Sequence, residues 1–406
     1  MVRVTRSDRR QAIGNFLLPT DAAVDENLSN WRHFPALDGI RGVAILLVLL
    51  HHLMPIRIEG LPSWWQSLFR SGWIGVDLFF VLSGFLITGI LVKSRRGRHR
   101  FRNFYARRSL RIFPLYFGSL AAILYGVPAV LEATNIRMPG IEANIDAVAP
   151  KQWYLWTYTQ NLVAERWYMF NHFWSLAVEE QFYLIWPALV FLLGPNRTAK
   201  LCLIIIPVAF IIRVVLRECP QLGLNPYIFT AARFDSLAIG GWASIIWLAH
   251  GDRAVRSARR LLPWATLSTA TLLWAIRNEG HGSFWVETFG FPLLALWGGA
   301  LVLASVGPAG RIGNVLQRRT LRTIGKYSYG MYVIHRLIQG PVLMALPVSV
   351  LSDVFGRPEI VAVSIFLISS GVTFVAALIS WHAFEKHFLD LKGYFTPIDH
   401  PTPRTG

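Results

Sequence analysis

Arg41 and His52 stand in one apolar run, residues 34–54, which is long enough to cross a membrane as a helix. In a helix, their separation of eleven residues is close to three turns, so both side chains lie on one face, roughly 16 Å apart along the axis. Ionisable groups in membrane helices usually face the protein interior or a water-filled cavity, and they often mark functional sites. A histidine held there can act as a general base. The alternative is that Asp38 and Arg41 anchor one end of the helix at the membrane surface, and the histidines the other.

Further ionisable residues lie in later apolar segments: Asp77, the pair Glu179 and Glu180, and the pair Arg233 and Asp235. If the segments alternate in direction across the membrane, these groups converge at about the depth of His52, as a general acid/base site requires. Neighbouring residues on a helix point about 100° apart, so only one of the two glutamates can readily face the same interior spot. The alternative for each group is an interhelical ion pair that stabilises packing.

A second cluster is the arginine block of FRNFYARRSLRIFPLYF, in which Arg107, Arg108 and Arg111 are candidate phosphate ligands. Arg107 and Arg111 are spaced i, i+4, and Arg108 and Arg111 i, i+3, so on a helix their guanidinium groups share one face. Guanidinium groups bind phosphates in bidentate fashion. The alternative is that these arginines set the topology or contact anionic lipid headgroups.

Four residues are further candidates for binding substrate: Asp38, Arg233, Asp235 and His335. His335 ends the stretch YSYGMYVIH and falls near the middle of an apolar segment. A lone histidine in such a place is more often a hydrogen-bonded structural residue.

The composition indicates a polytopic membrane protein. Of the 406 residues, 53% are hydrophobic and 16% are charged, and the mean hydropathy is +0.42, which is too apolar for a soluble domain of this size. We therefore attribute the formal net charge of +17 to the positive-inside distribution of Lys and Arg, and we expect no nucleic-acid partner. Cys202 and Cys219 suggest neither a disulfide framework nor a metal cluster, and we expect no bound metal.

Apolar segments of about 17 to 25 residues recur along the chain and predict an all-α bundle of ten transmembrane helices. The predicted spans are 37–54, 73–92, 112–130, 173–193, 201–216, 227–249, 261–276, 287–306, 327–347 and 360–382. About 28 of the 40 Lys and Arg residues fall in the tails and loops of one side, which places both termini in the cytoplasm. We predict a cytoplasmic tail over 1–33, one transmembrane domain over 34–390 and a cytoplasmic, disordered tail over 391–406.

The chain resembles the acyltransferase 3 family of integral-membrane acyltransferases over most of its length, residues 37–388. The similarity lies in seven blocks that follow in the family's order: LDGIRGVAILLVLLHH, GVDLFFVLSGFLIT, YARRSLRIFPLY, WSLAVEEQFYLIWP, RFDSLAIGG, GKYSYGMYVIH and WHAFEKHF. The first block supplies the family's Arg-x10-His pair as Arg41 and His52, and the register excludes His51. The chain departs from the family in having His387 where proline is common.

The resemblance implies ten transmembrane helices and O-acyl transfer, commonly of acetyl, from acyl-CoA to a hydroxyl of a cell-surface glycan, a lipid-linked glycan or a secreted small molecule. By the same analogy, His52 is the catalytic base, Arg41 is needed for activity, and the arginine block contacts coenzyme A. Glu180 is favoured over Glu179 on resemblance alone, and Asp77 or Glu180 would orient the imidazole. The chain resembles the stand-alone members of the family, which have no SGNH-type esterase domain.

We therefore expect an O-acetyltransferase of the bacterial inner membrane, with acyl-CoA as co-substrate and with membrane lipids and a carbohydrate or glycolipid acceptor as partners. Two other classes stay open: a transporter or flippase, since buried charges also line substrate pathways, and a non-catalytic scaffold or sensor. The acyl group and the acceptor are open as well, although we rank a surface polysaccharide or glycolipid above peptidoglycan.

Overall fold

The computed structural model describes residues 14, 16–55, 58–62, 64–65, 69, 71–276, 282–308 and 310–395. Within these residues the chain forms helices and turns and no β-strand, which confirms the all-α prediction. The α-helices with defined bounds are α1 (Asp21–Glu26), α2 (Pro35–Leu53), α3 (Ile74–Ser94), α4 (Arg100–Ala121), α5 (Val127–Thr134), α6 (Pro139–Val148), α7 (Trp153–Trp156), α8 (Trp174–Glu218), α9 (Thr230–His250), α10 (Asp252–Ala275), α11 (Phe291–Val306), α12 (Arg311–Leu316), α13 (Arg319–Ala345), α14 (Val348–Phe355), α15 (Pro358–Ser380) and α16 (Lys386–Asp390). A 3-10 turn, Tyr168–Phe173, leads into α8.

The protein is a multi-pass membrane protein. Among the described residues, six helices are long and apolar enough to cross a membrane, or seven if α13 and α14, which are bent by 61° to each other, form one span. All ten predicted segments fall on helices, and 173–193 and 201–216 form the two parts of α8. The count of ten spans and the side on which the termini lie stay predictions.

Helix α8 is a hairpin of two helices joined at Gly194, whose backbone has φ 72° and ψ 172°. Only glycine adopts such a conformation without strain, so the chain can reverse there. Before the break, Gln181 accepts a hydrogen bond from Thr230. After it, Arg213 donates to the carbonyl of Ala232. Because both contacts are to the start of α9, the two parts of α8 lie side by side and antiparallel.

Two pairs of helices approach backbone to backbone at glycines. A Cβ added at Gly84 on α3 would overlap the carbonyl oxygen of Leu237 on α9, and one at Gly325 on α13 would overlap that of Asp38 on α2. Small residues permit this close approach in membrane helices, where packing stabilises association in place of a hydrophobic driving force. The glycines therefore hold α2, α3, α9 and α13 in one tight core.

Basic residues gather at one end of the bundle, which we call the arginine end and define by residues 93–111, 250–260 and 307–326. Arg95 and Arg96 there bind Asp25, which precedes α2. The opposite end, where α2 finishes and α8 begins, carries His51, His52 and His172, and we call it the histidine end.

The two predicted tails lie only partly in the described chain, because residues 1–13, 15 and 396–406 fall outside it. Of the N-terminal tail, Asp21–Glu26 forms α1 and Trp31 is buried. Of the C-terminal tail, Leu391–Tyr394 forms a 3-10 turn, and Arg107 donates to the carbonyl of Lys392. The prediction of a disordered tail from residue 391 is therefore wrong at its start, because this turn packs against α4.

We predict that Gly84→Ala destabilises the bundle by about 1–3 kcal/mol, since the new methyl group would have to push α3 away from α9. Thermal unfolding of the detergent-solubilised protein would measure the loss. Gly371→Ala on α15 is the matched control: a Cβ there meets no atom within 4 Å, so helix propensity alone applies and the variant should be as stable as the wild type or more so. Equal melting temperatures for the two variants would contradict the close contact.

Candidate active site

A cavity of about 320 Å³ lies between α2, α3, α4, α8 and α13. Arg41 lines it together with the whole predicted arginine block, Arg107, Arg108 and Arg111. Lys392, which no motif marked, adds a fifth cation from the C-terminal turn. Residues from separate parts of the sequence thus form one cationic region, as the prediction of an anion site requires.

The arginines of α4 differ in how they are held. The guanidinium of Arg108 lies 4.3 Å from the centroid of the Tyr183 ring, and its Nε is buried with no hydrogen-bond partner in the described chain. Arg107 donates to the backbone carbonyl of Phe395 at 3.1 Å. Arg111 lies within electrostatic range of Arg41, Arg108 and Glu385. The block therefore carries more positive charge and more donors than these neighbours satisfy.

Arg41 is held by Asp38, with 2.7 Å between Nη1 of the arginine and Oδ1 of the carboxylate. The other carboxylate oxygen of Asp38 lies 2.8 Å from Nε2 of His33. Asp38 is not among the residues that line the cavity. In the structure its carboxylate binds Arg41, whereas the sequence predicts that Asp38 binds substrate.

Both Glu179 and Glu180 line the cavity, although adjacent side chains on a helix do not point to the same spot. The cavity covers a wider arc of α8 than the 100° that separates neighbouring side chains. Glu179 accepts a hydrogen bond of 3.0 Å from the hydroxyl of Tyr183, which also bonds Ser83. Oε1 of Glu180 is buried without a hydrogen-bond partner in the described chain, so it can meet a ligand in the cavity.

The cavity ends, toward the histidine end, at Ser175 and Tyr332, whose hydroxyl groups bond each other. The Tyr332 hydroxyl also donates to the backbone carbonyl of His172 at 2.8 Å. His52 does not line the cavity. The two ends of the predicted Arg-x10-His pair therefore differ: Arg41 lines the cavity, whereas His52 contacts His335, whose ring packs against that of the lining residue Tyr332 with centroids 5.7 Å apart.

The ring of His52 lies among those of three other histidines, His51, His172 and His335, and its centroid is 5.0 Å from that of His51. Its Nδ1 lies 2.9 Å from Nε2 of His335, and the two rings are stacked with centroids 5.0 Å apart. The His172 ring packs edge-on against His335, with centroids 4.7 Å apart, and lies 6.4 Å from that of His52. Within the described residues, the ring hydrogen bond of His52 goes to His335 and not to an acidic side chain. The prediction that Asp77 or Glu180 orients His52 is therefore wrong for this structure.

Asp77, Arg233 and Asp235 form buried ion pairs, the alternative that sequence analysis left open. Arg233 donates to Asp77 at 2.6 Å, and Arg213 lies 2.8 Å from Asp235. Each of these side chains is 2% exposed or less, and the Arg233 guanidinium lies 3.7 Å from the centroid of Phe291. These residues join α3, α8, α9 and α11 and are absent from the cavity lining. Arg213, which lies inside the predicted span 201–216, is thus paired with an acidic side chain inside the protein.

Sequence reasoning missed His172 and Lys392 as members of the site. His172 lies in the 3-10 turn Tyr168–Phe173 before α8, and its position directly ahead of the predicted span 173–193 was the available signal. Lys392 lies beyond the last predicted span, where nothing in the sequence marks it. Within the described residues, no group of three or more His, Cys, Asp or Glu side chains is arranged to hold a metal ion.

Comparisons with known proteins point to acyl transfer. The family model Acyl_transf_3, described as an acyltransferase domain, matches residues 34–382. O-acetyltransferase OatA of Staphylococcus aureus is 27% identical over 76% of this chain and 51% of its own length. Peptidoglycan O-acetyltransferase OatA of Listeria monocytogenes is 28% identical over 75% of this chain and 49% of its own length. Putative peptidoglycan O-acetyltransferase YrhL of Bacillus subtilis is 26% identical over 87% of this chain and 55% of its own length. The chain spans about half the length of these relatives, and no solved structure matches it.

We predict that Asp77→Leu destabilises the protein by about 3–5 kcal/mol, because Arg233 would stay buried without its ion-pair partner. The double variant Asp77→Leu with Arg233→Met should recover much of that stability, since apolar side chains can replace a buried pair. Thermal unfolding in detergent would measure both variants. Wild-type stability of Asp77→Leu, together with lost activity, would indicate a chemical role in place of a structural one.

Proposed function

Since the chain belongs to the acyltransferase 3 family, we propose that it transfers an acyl group from acyl-CoA to a hydroxyl of a cell-surface carbohydrate. The names of the relatives, O-acetyltransferase and peptidoglycan O-acetyltransferase, favour acetyl as the group and a glycan as the acceptor. One observation carries the proposal most strongly: a single cavity has five cations along its lining and ends next to a histidine cluster.

The donor would bind with its phosphates among Arg41, Arg107, Arg108, Arg111 and Lys392. Phosphates and nucleotide are costly to move into an apolar interior, whereas the pantetheine arm is thin and long. Much of the remaining lining consists of apolar and aromatic side chains, most of them on α3, and these suit such an arm. The rise of roughly 16 Å from Arg41 to His52 along α2 is the distance the arm has to cover.

The acceptor would reach His52 from the histidine end, where this side chain is only partly buried. Neutral His52 removes the proton of the acceptor hydroxyl as the oxygen attacks the thioester carbonyl. An oxygen–carbon ester bond forms, the carbon–sulfur bond breaks, and the proton passes from His52 to the coenzyme A sulfur. Because His52 does not line the cavity, lining side chains near the histidine end, such as Ser175 and Tyr332, would have to move for the thioester to reach it.

We further propose that the arginine end faces the cytoplasm of a bacterial inner membrane. The positive-inside rule favours this orientation, because short loops rich in Lys and Arg stay on the cytoplasmic side. Acyl-CoA is made in the cytoplasm, and the cationic region lies at that end. The donor and the acceptor would then approach the reaction centre from opposite sides of the membrane.

His52→Ala should lower acyl transfer by about 10² to 10⁴-fold, the usual loss when a general base is removed. The assay would use labelled acetyl-CoA and a preparation of cell-surface glycans, with membranes that contain equal amounts of inserted protein. His51→Ala is the matched control and should lose less than about tenfold, since its ring cannot take the place of His52. Undiminished transfer by His52→Ala would overturn the assignment of the base.

Replacing Arg107, Arg108 and Arg111 together by glutamine should weaken coenzyme A binding at least tenfold, because each charge-assisted hydrogen bond contributes about 1.5–3 kcal/mol. Equilibrium binding of coenzyme A to the purified protein would measure the change. The control replaces Arg96, Arg98 and Arg102, which are exposed on the same basic segment and do not line the cavity. Equal affinity of the two triple variants would mean that net charge alone attracts the donor.

A further inference from the structure

We propose that His335 is the positioning residue of His52: it accepts the Nδ1 proton of His52 and so leaves Nε2 of His52 free to act as the base. The inference rests on the proposed function, because it gives a partner to the base of that reaction. In this arrangement neutral His335 accepts the Nδ1 proton of the base, as the carboxylate does in a catalytic triad.

The protonation of His335 follows from its hydrogen bonds. Its Nδ1 lies 2.7 Å from the backbone carbonyl oxygen of Tyr332. A carbonyl oxygen only accepts, so Nδ1 of His335 must carry a proton. In a neutral imidazole the other nitrogen then has no proton, which makes Nε2 of His335 an acceptor. The 2.9 Å contact of that atom with Nδ1 of His52 can form only if His52 is the donor.

Burial supports the neutral form of His335. Its side chain is fully buried, and the groups around it are the other histidines and Arg336, which would disfavour a second positive charge. Within the described residues, no carboxylate is hydrogen-bonded to the rings of His52, His172 or His335. An uncompensated imidazolium at this place would be costly, so the stable arrangement is a chain of neutral rings in which His52 keeps its Nε2 lone pair.

Helix α13 holds His52 at a second atom. Nε2 of Gln339 donates to the backbone carbonyl of His52 at 2.8 Å. Arg336 donates to the amide oxygen of Gln339 at 2.9 Å, which identifies the nitrogen as the atom that faces His52. Helices α2 and α13 also meet closely at Gly325. Helix α13 therefore positions both the backbone and the ring of His52. A general base that has to keep one orientation requires such a fixed support.

The test compares His335→Leu with His335→Gln. Leucine removes the acceptor and should lower kcat at least about 10²-fold without changing KM for acetyl-CoA, because His52 would lose its tautomer and orientation but the donor site would stay intact. The side-chain carbonyl of glutamine can occupy the place of Nε2 and accept the same proton, so His335→Gln should keep kcat within about tenfold of the wild type. The assay uses acetyl-CoA and a cell-surface glycan preparation.

His172→Leu and His172→Gln form the matched control pair, because His172 packs against His335 without a hydrogen bond to His52. These two variants should resemble each other, whereas the His335 pair should differ. Equal losses in His335→Leu and His335→Gln would show that only packing matters and would overturn the positioning role. Full kcat in His335→Leu would overturn it too. If His52→Ala also kept full acyl transfer, the assignment of His52 as the base would fail as well, whereas an inactive His52→Ala would mean that only the positioning role fails. Absence of acyl transfer by the wild-type protein would instead overturn the proposed function.

Nitrogen-15 NMR of histidine-labelled wild-type protein provides a readout of the His52 tautomer that does not depend on enzyme activity. The expected spectrum assigns a protonated Nδ1 and an unprotonated Nε2 to His52, with His52→Gln identifying its signals. The reverse tautomer of His52 would overturn the proposal whatever the activity of the variants.

Discussion

Charge is costly inside an apolar helical bundle, and this cost determines where most polar side chains of the protein lie. Arg233 with Asp77 and Arg213 with Asp235 satisfy it by pairing across helices, and both pairs are almost fully shielded from solvent. Such pairs contribute little net stability, but removing one partner leaves a buried charge. They therefore act as constraints on which helices can be neighbours.

The cavity differs from these ion pairs because its positive and negative charges are not equal in number. Its cations outnumber the two glutamates that share the lining, and Nε of Arg108 and Oε1 of Glu180 lack hydrogen-bond partners in the described chain. An excess of positive charge is stable there only because the region lies near the arginine end, where solvent and anions are close. The same excess is what an anionic donor needs. The charge imbalance and the proposed donor site thus have one physical basis.

The close contact of α2 with α13 connects the cavity to the histidine cluster. At the arginine end, Gly325 lets the backbones touch beside Asp38, which holds Arg41. At the histidine end, the same two helices bring His335 against His52. Because one pair of helices carries both features, the distance between donor charge and base is set by the helix rise and not by a flexible loop. A reaction that needs fixed spacing between its parts benefits from such a frame.

Periodic and local features could be predicted from the sequence alone: the ten apolar segments that prove helical, the common face of Arg41 and His52 and the one-sided arginine block. Helix geometry and the length of an apolar run depend only on nearby residues. The partners of the buried charged and histidine side chains could not be predicted from the sequence, because the residues that contact each other are distant in the chain. Asp77 binds a residue 156 positions away, and His52 one 283 positions away. Only the packing of the helices decides whether an acidic side chain near the base contacts it or pairs with an arginine, and here packing gave His52 a histidine partner.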